Sequence, residues 1–325
     1  MLTGYVIGTD EAGYGPNLGP LVISATVWQV PDGVRSDDLY RRVGSSIATA
    51  PGRAAENGFA PVAMADSKVL YQPGGGLRHL ERGLLVALAL LDRRPTTWRE
   101  VWDALCGEST PHWQSVPWYT DYDLRVPLDA DRAETEPLAR TLGEALARAG
   151  ARLIEIRSKA VFPEQFNGLV ELYGTKGAAL SHTTLDLVAG VMEPLDAAPI
   201  SIVCDKHGGR NRYHQLLADH FPERFIETHG ESRARSVYRF GPENRRVEIR
   251  FQAKAESHLP AALASMASKY LRELAMRALN DFWRNRVAGL RPTAGYPQDA
   301  KRFKAEIAAA QAELGIDDRV LWRTR

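Results

Sequence analysis

The sequence predicts an α/β domain built on a mixed β-sheet flanked by helices. Runs rich in apolar and β-branched residues cluster near the N-terminus and recur later between segments of helical periodicity. A turn rich in glycine and proline joins the first two runs, and acidic residues stand where the predicted strands end. A chain of 325 residues can bury a sizeable core, and its 44% hydrophobic and 25% charged content is ordinary for a globular protein. No internal repeat or low-complexity segment stands out.

Residues 4–9 read as a buried strand running into Asp10-Glu11, and the turn Gly13 to Pro20 leads to a second strand from Leu21 to Val30. Residues 73–130 differ in character and are expected to form an insertion. They open with Pro73-Gly74-Gly75-Gly76, continue as a helical run from Leu77 to Leu91, and carry Trp98, Trp102, Trp113 and Trp118. Such a tryptophan patch forms either a satellite core or a recognition surface. Glu134 to Ala149 has helical spacing, and Arg152 to Arg157 alternates like a strand. Ser181 is the expected N-cap of a helix from His182 to Met192. A short strand, Pro199 to Cys204, ends at Asp205, and Arg210 to Leu217 continues as a helix. Ser236–Phe240 and Arg246–Ala253 are expected to pair as a hairpin around Gly241 to Asn244. Helices from Leu259 to Trp283 and from Gln298 to Leu314 complete the pattern, all within one domain spanning 1–325.

The net charge of +1 does not announce a polyanion partner, but Arg233 to Arg250 is a basic segment. An exposed hairpin explains it as well as a phosphate contact does. Cys106 and Cys204 cannot make a disulfide framework, and no His/Cys spacing suggests structural zinc. No apolar run is long enough to span a membrane, and the first residues lack the features of a secretory signal, so a cytoplasmic location is expected. The chain has no Walker A sequence, Rossmann fingerprint or G-x-S-x-G elbow, which argues against ATPase, dehydrogenase and α/β-hydrolase readings.

Asp10 and Glu11 close the first strand, Asp205 closes another, and Glu256 lies between the second hairpin strand and the long helix. In open α/β sheets, sites form beyond the carboxyl ends of strands. Carboxylates brought together there suit divalent cations with oxygen ligation, and a pair of such ions can drive phosphodiester hydrolysis. His182 and His207 are read as local hydrogen-bonding residues, and Cys204 as a small buried side chain.

Several segments, in order, carry a resemblance. Gly8 to Pro20 resembles the opening motif of the type 2 ribonuclease H family, and Ala65-Asp66-Ser67-Lys68 is similar to its Asp-Ser-Lys motif. Leu180-Ser181-His182-Thr183 is similar to a segment of the archaeal and eukaryotic branch. Cys204-Asp205 with Tyr213 to Leu217 and Phe221-Pro222 resembles the region of that branch's third catalytic acid. Lys254 to Pro260, with Ala264-Ser265 and Lys269, is like the segment bearing the fourth. Gly295-Tyr296-Pro297 with Asp299 and Lys301 is similar to a late motif. The matches span the chain apart from residues 73–130 and a lengthened hairpin near 230–245.

The resemblance implies a ribonuclease H-like fold and an endonuclease acting on RNA–DNA hybrids or on ribonucleotides embedded in duplex DNA, with 3′-hydroxyl and 5′-phosphate products. It implies that Asp10, Glu11, Asp205 and Glu256 hold two Mg²⁺ or Mn²⁺ ions. Gly13 and Gly15 would let the backbone approach a ribose 2′-hydroxyl, Ser67 and Lys68 would lie near a phosphate, and Tyr296 would stack on a sugar. Tyr14 takes the place of an arginine that grips phosphate in the family, and its ring would stack on a base or sugar instead. Glu256 replaces an aspartate, with one residue fewer before Ala264-Ser265. These departures motivate two alternatives: an idle paralogue that binds nucleic acid or a protein partner, and a related metal nuclease with a shifted substrate.

Overall fold

The computed structural model describes residues 3–53, 58–72, 74–107, 113 and 115–324. Strands β1 (Thr3–Ala12) and β2 (Leu21–Pro31) are followed by helix α1 (Leu39–Val43) and a short parallel pair, β3 (Ile47–Ala48) and β4 (Val62–Ala63). Helices α2 (Ser67–Leu70), α3 (Arg78–Ala89), α4 (Trp98–Cys106) and α5 (Thr135–Arg148) precede β5 (Arg152–Val161). Next come α6 (Pro163–Tyr173), α7 (Lys176–Met192), β6 (Ile200–Asp205) and α8 (His214–His220). The chain then forms β7 (Glu227–Glu231), β8 (Arg235–Phe240), β9 (Val247–Gln252), α9 (Leu259–Arg284), α10 (Pro297–Glu313) and α11 (Asp318–Leu321).

The main sheet has seven strands in the order β5-β2-β1-β6-β9-β8-β7. The antiparallel β1, β2 and β5 adjoin β6 and β9, which run parallel to β1, and β8 and β7 continue as an antiparallel edge. This mixed sheet with helices on both faces is the ribonuclease H-like fold that the motifs imply. Its central strands are buried on both sides, which is why residues 4–9 read as an unbroken apolar run. Val6 and Trp28 face the core built on α3, α5 and α9, whereas Tyr5, Ile7 and Val27 face α7 and α8.

The indoles of the inserted segment are buried. Trp98, Trp102, Trp113 and Trp118 belong to the same core as α9, with Trp118 6.4 Å from the Trp283 ring and Trp102 6.2 Å from Phe162. The Trp98 indole N–H donates to the Leu274 carbonyl of α9 at 3.1 Å. A recognition surface is therefore not what these rings form. Pro73, residues 108–112 and Gln114 of the insertion lie outside the described residues.

Several element boundaries differ from those read in the sequence. The α7 helix starts at Lys176 with Thr175 as its N-cap; Ser181 is an interior residue whose hydroxyl donates to the Gly177 carbonyl at 2.7 Å. Apolar residues continue upstream of Ser181, so the cap signal is outweighed by the longer buried face. The helix expected from Arg210 begins at His214, because residues 206–213 form a loop gathered around the Lys206 ammonium. Strand β5 runs on to Val161, and β7, with its exposed polar sequence, lacked the alternation that marks a strand.

Glu81, fully buried on α3, ties the insertion's return to the core. Its carboxylate accepts the backbone N–H groups of Leu128 and Asp129 at 2.6 Å each and of Ala130 at 3.0 Å, and the Tyr270 hydroxyl at 2.8 Å. Removing the acceptor leaves the buried Tyr270 hydroxyl and three backbone N–H groups without their common partner. Glu81→Ala is expected to lower the unfolding free energy by roughly 3 kcal/mol in denaturant titration, and Glu81→Gln by less. A change within experimental error would show that the insertion is held by its indoles alone.

Candidate active site

The site assembles at the carboxyl ends of adjacent parallel strands. Thr9 pairs with Cys204, so the next residues, Asp10 and Asp205, stand side by side. Glu11 follows on β1. Glu256 lies on a single 3-10 turn, Ala255–Ser257, between β9 and α9. That turn is entered through Lys254 in the left-handed conformation (φ 61°), and the Ala255 N–H approaches Asp205 Oδ1 at 3.5 Å.

Residues of α9 and α2 support these acids. Ser265 hydrogen-bonds the Asp10 carboxyl, and its hydroxyl also lies 3.1 Å from Ser67 Oγ. Ser268 Oγ sits 3.0 Å from the Asp10 carbonyl oxygen and 2.8 Å from Ser24 Oγ. Asp66 caps α2 by accepting the Lys68 N–H at 3.0 Å, and its charge registers on Glu256. Asp66, Ser265 and Ser268 were not among the expected site residues. The first two lie within segments that carried the resemblance, so the signal was present but assigned to their neighbours.

The electrostatics show an assembly short of positive charge. Burial, reinforced by the charges of Asp205 and Glu256, pushes the Asp10 carboxyl up to about 7 against the opposing Ser265 hydrogen bond. Burial followed by Asp10 and Asp205 holds Glu11 well above the carboxylate range. Burial raises Asp205 although the Lys206 and Ala255 N–H groups and Lys68 oppose it, and burial with Asp205 and Asp66 raises Glu256. Burial works to lower the Lys68 ammonium, but Asp66, Glu256, Asp10 and Asp205 together raise it. The Lys68 side chain is 85% exposed, open to an incoming anion.

The glycine turn has a cationic underside. The buried Arg272 guanidinium donates to the carbonyls of Pro20 at 2.7 Å and Leu18 at 3.1 Å. The buried Arg323 donates to those of Gly13, at 2.6 Å, and Pro16. Gly13 has φ 91°, and a Cβ there would lie 2.6 Å from the Pro20 oxygen and 2.9 Å from Arg272, so close packing requires glycine. Gly15 is exposed, and a Cβ on it would meet only the Tyr296 ring, at 3.8 Å. Tyr296 is itself 59% exposed beside it. Tyr14 turns the other way. Its hydroxyl packs against Gly208 and Gly177, and burial together with Glu11 raises its pKa. His207 is buried with Nδ1 3.1 Å from Ser181 Oγ, and His182 Nδ1 is 3.0 Å from His220 Nε2, so both act as local hydrogen-bonding groups.

Carboxylate oxygens gathered at the strand ends, their pKa values raised first by burial, suit a hard divalent cation in chemistry. As the side chains stand, no three His, Cys, Asp or Glu groups among the described residues converge on one point, so an ion would have to draw them together.

The mixed sheet, with acids at the ends of its parallel strands, is the arrangement that the sequence motifs imply. In structure the chain is similar to ribonuclease H2 from Pyrococcus horikoshii OT3, with 14% identity and a TM-score of 0.47 over 98% of this chain and 92% of that one. It is also similar to ribonuclease HII of Archaeoglobus fulgidus, solved with PCNA, at 13% identity and TM-score 0.42, covering 100% of this chain and 95% of that one. A third similar structure is Mn²⁺-bound Bst-RNase HIII, at 16% identity and TM-score 0.38, covering 98% of this chain and 66% of that one. No family model and no curated relative matches the sequence.

The raised Asp10 has a consequence for metal-free stability. Its pKa moves from 3.8 toward about 7 on folding, so between these values the folded chain binds a proton that the unfolded chain releases. Stability from this group is fully present below the lower value and is lost as pH rises through the upper one. Asp10→Asn removes the charge, so in chelator at pH 8 it is expected to raise the melting temperature, by on the order of 1 kcal/mol in stability. At pH 4 the difference should vanish. A lower melting temperature for the variant at pH 8 would contradict a buried Asp10 carboxyl crowded by Asp205 and Glu256.

Proposed function

We propose that this chain is a metal-dependent endonuclease of the type 2 ribonuclease H kind. It hydrolyses the RNA strand of RNA–DNA hybrids, or cuts at ribonucleotides embedded in duplex DNA, leaving 3′-hydroxyl and 5′-phosphate ends. The observation that carries this reading is the placement of Asp10, Glu11 and Asp205 at the carboxyl ends of the neighbouring parallel strands β1 and β6, with Glu256 on the turn that follows β9 and approaches Asp205. Order among the sequence motifs supports the substrate class.

In this reading Asp10, Glu11, Asp205 and Glu256 hold Mg²⁺ or Mn²⁺, and the bound ions supply an activated water and charge stabilisation at the leaving oxygen. The chain's own groups do the positioning. Lys68, with its side chain exposed and the acids around it, meets the phosphate, and buried Ser67 fixes the start of α2 through Ser265. The exposed Gly15 backbone beside Tyr296 offers a ribose 2′-hydroxyl a close approach with an aromatic face for the neighbouring sugar. Tyr14, folded toward Gly177 and Gly208, supplies no charge there, so phosphate grip falls to Lys68.

Cleavage of three labelled duplexes tests the proposal: an RNA strand on DNA, a single ribonucleotide in DNA, and DNA alone, each in Mg²⁺ and in Mn²⁺. Cutting of a ribonucleotide-containing duplex, reduced at least about 10³-fold in Asp10→Ala, is expected. A second reading, an idle paralogue that binds nucleic acid, is favoured by the unconverged acids. It predicts hybrid binding in chelator with no cleavage of any duplex by folded protein.

A further inference from the structure

The basic hairpin divides into a neutralised part and a free part. Away from the acids, Arg239 pairs with Glu248 at 2.7 Å, Arg246 pairs with Glu227, and buried Arg250 lies 3.4 Å from Asp37. At the other end, Arg233, Arg235 and Lys254 are exposed and make no ion pair among the described residues. Arg212, 90% exposed, has only a loose contact with Glu231 at 3.8 Å.

Sheet register puts this free charge beside the candidate active site. Asp205 pairs with Gln252 on β9, and Gln252 pairs with Arg235 on β8. With strands about 4.8 Å apart, the Arg235 backbone lies roughly 10 Å from that of Asp205. That span matches about three steps of a nucleic-acid strand at about 3.4 Å each. The turn between β7 and β8 is also held in place. The Lys206 ammonium, next to Asp205 in sequence, donates to the Ser232 carbonyl at 2.7 Å and approaches Ser236 Oγ and Asn211 Oδ1 at 3.1 Å each. Its charge is thus committed to joining the turn to the catalytic strand, while the arginines above it stay free.

We propose that the β7–β8 turn, through Arg233 and Arg235 with Arg212 and Lys254, is a second contact site that grips the phosphate backbone of a nucleic-acid duplex about three nucleotides from the acids. This deepens the nuclease reading and rests on it for the identity of the occupant. Charge segregation favours an anion, and the row running from Arg235 to Asp205 favours one long enough to reach both places. An acidic peptide or an anionic membrane would have no reason to require the acid cluster alongside.

The test is binding of a labelled RNA–DNA hybrid in chelator, where no cleavage occurs, by full-length protein and by Arg233→Ser/Arg235→Ser, between 50 and 200 mM salt. The variant is expected to bind roughly tenfold more weakly at low salt and to show a log–log salt slope shallower by about two. A duplex ending two base pairs beyond the ribonucleotide should bind both proteins equally. Equal affinity and slope on the long hybrid, with the variant's melting temperature unchanged, would overturn the proposal. So would a loss of equal size on polyglutamate or on phosphatidylserine vesicles, or no binding of the hybrid by the unaltered protein. Because the readout needs no metal, a protein that fails to cut but shows the slope change refutes the nuclease and keeps the contact site. A protein that cuts without the slope change does the reverse.

Discussion

The site depends on how closely the start of α9 is pressed onto β1. At Gly8 a Cβ atom would lie 2.2 Å from both the Pro260 carbonyl carbon and the Ala261 nitrogen, closer than any side chain permits. Thr26 on the neighbouring strand donates its hydroxyl to the Pro260 carbonyl at 2.8 Å, fixing the same point from the side. Ala261, Ala262 and Ala264 keep the rest of the first turns thin and buried. A helix seated this low delivers Glu256 from the turn before it, and Ser265 and Ser268 from its own face, to the Asp10 strand end. Further along, the same helix brings Tyr270 to Glu81, Arg272 beneath the glycine turn, and Trp283 into the indole cluster. One backbone contact thereby sets the registration of the acids, the turn and the insertion together.

Charge is distributed so that the two signs are kept apart. The acids crowd one end of the sheet, where burial raises each of them and a neighbouring carboxylate adds to it at Asp10, Glu11 and Glu256, with Lys68 as the cation beside them. Arg272 and Arg323, by contrast, are buried under residues 13–20 and donate to backbone carbonyls, and neither forms an ion pair with a carboxylate among the described residues. Burying a guanidinium costs several kcal/mol unless its donors are met, and carbonyl oxygens meet them only in part. Burial, with Arg272 adding to it, drives the Arg323 pKa well below its ordinary value. The arrangement spends stability on a rigid turn. With the Gly13 carbonyl drawn inward, the trans peptide turns the following N–H the other way.

Much of this architecture was legible in the sequence because local pattern and tertiary role agree. The β1 run, the Gly13–Pro20 turn, Asp205 at a strand end and the long apolar α9 each carry their signal within a few residues. What escaped reading depends on partners remote in the chain. Ser181 has every local mark of a cap, yet it lies within a helix set by residues upstream and by packing on β2 and β5. β7 is polar and exposed and exists because β8 offers it an edge. Asp66 looks like a simple cap for α2, and only the fold brings its charge to Glu256. The arginines of residues 233–250 left two readings equally open because their partners are set by the fold: the distal ones are neutralised within the hairpin and at Asp37, whereas those at the turn make no ion pair among the described residues.

The same logic accounts for Glu256, the longer acid at its position. An aspartate there would extend from a backbone that the Lys254 left-handed conformation and the 255–257 turn carry past the end of β9. The Ala255 N–H remains near Asp205, so the turn cannot shift toward Asp10 without losing that contact. The backbone position is thus fixed by its neighbours, and reach must come from the side chain. A glutamate supplies one more methylene, and its charge registers on Asp10, though after that of Asp205. The position therefore keeps an acid, one methylene longer than the aspartate that the sequence resemblance implies, on a turn held beside Asp205.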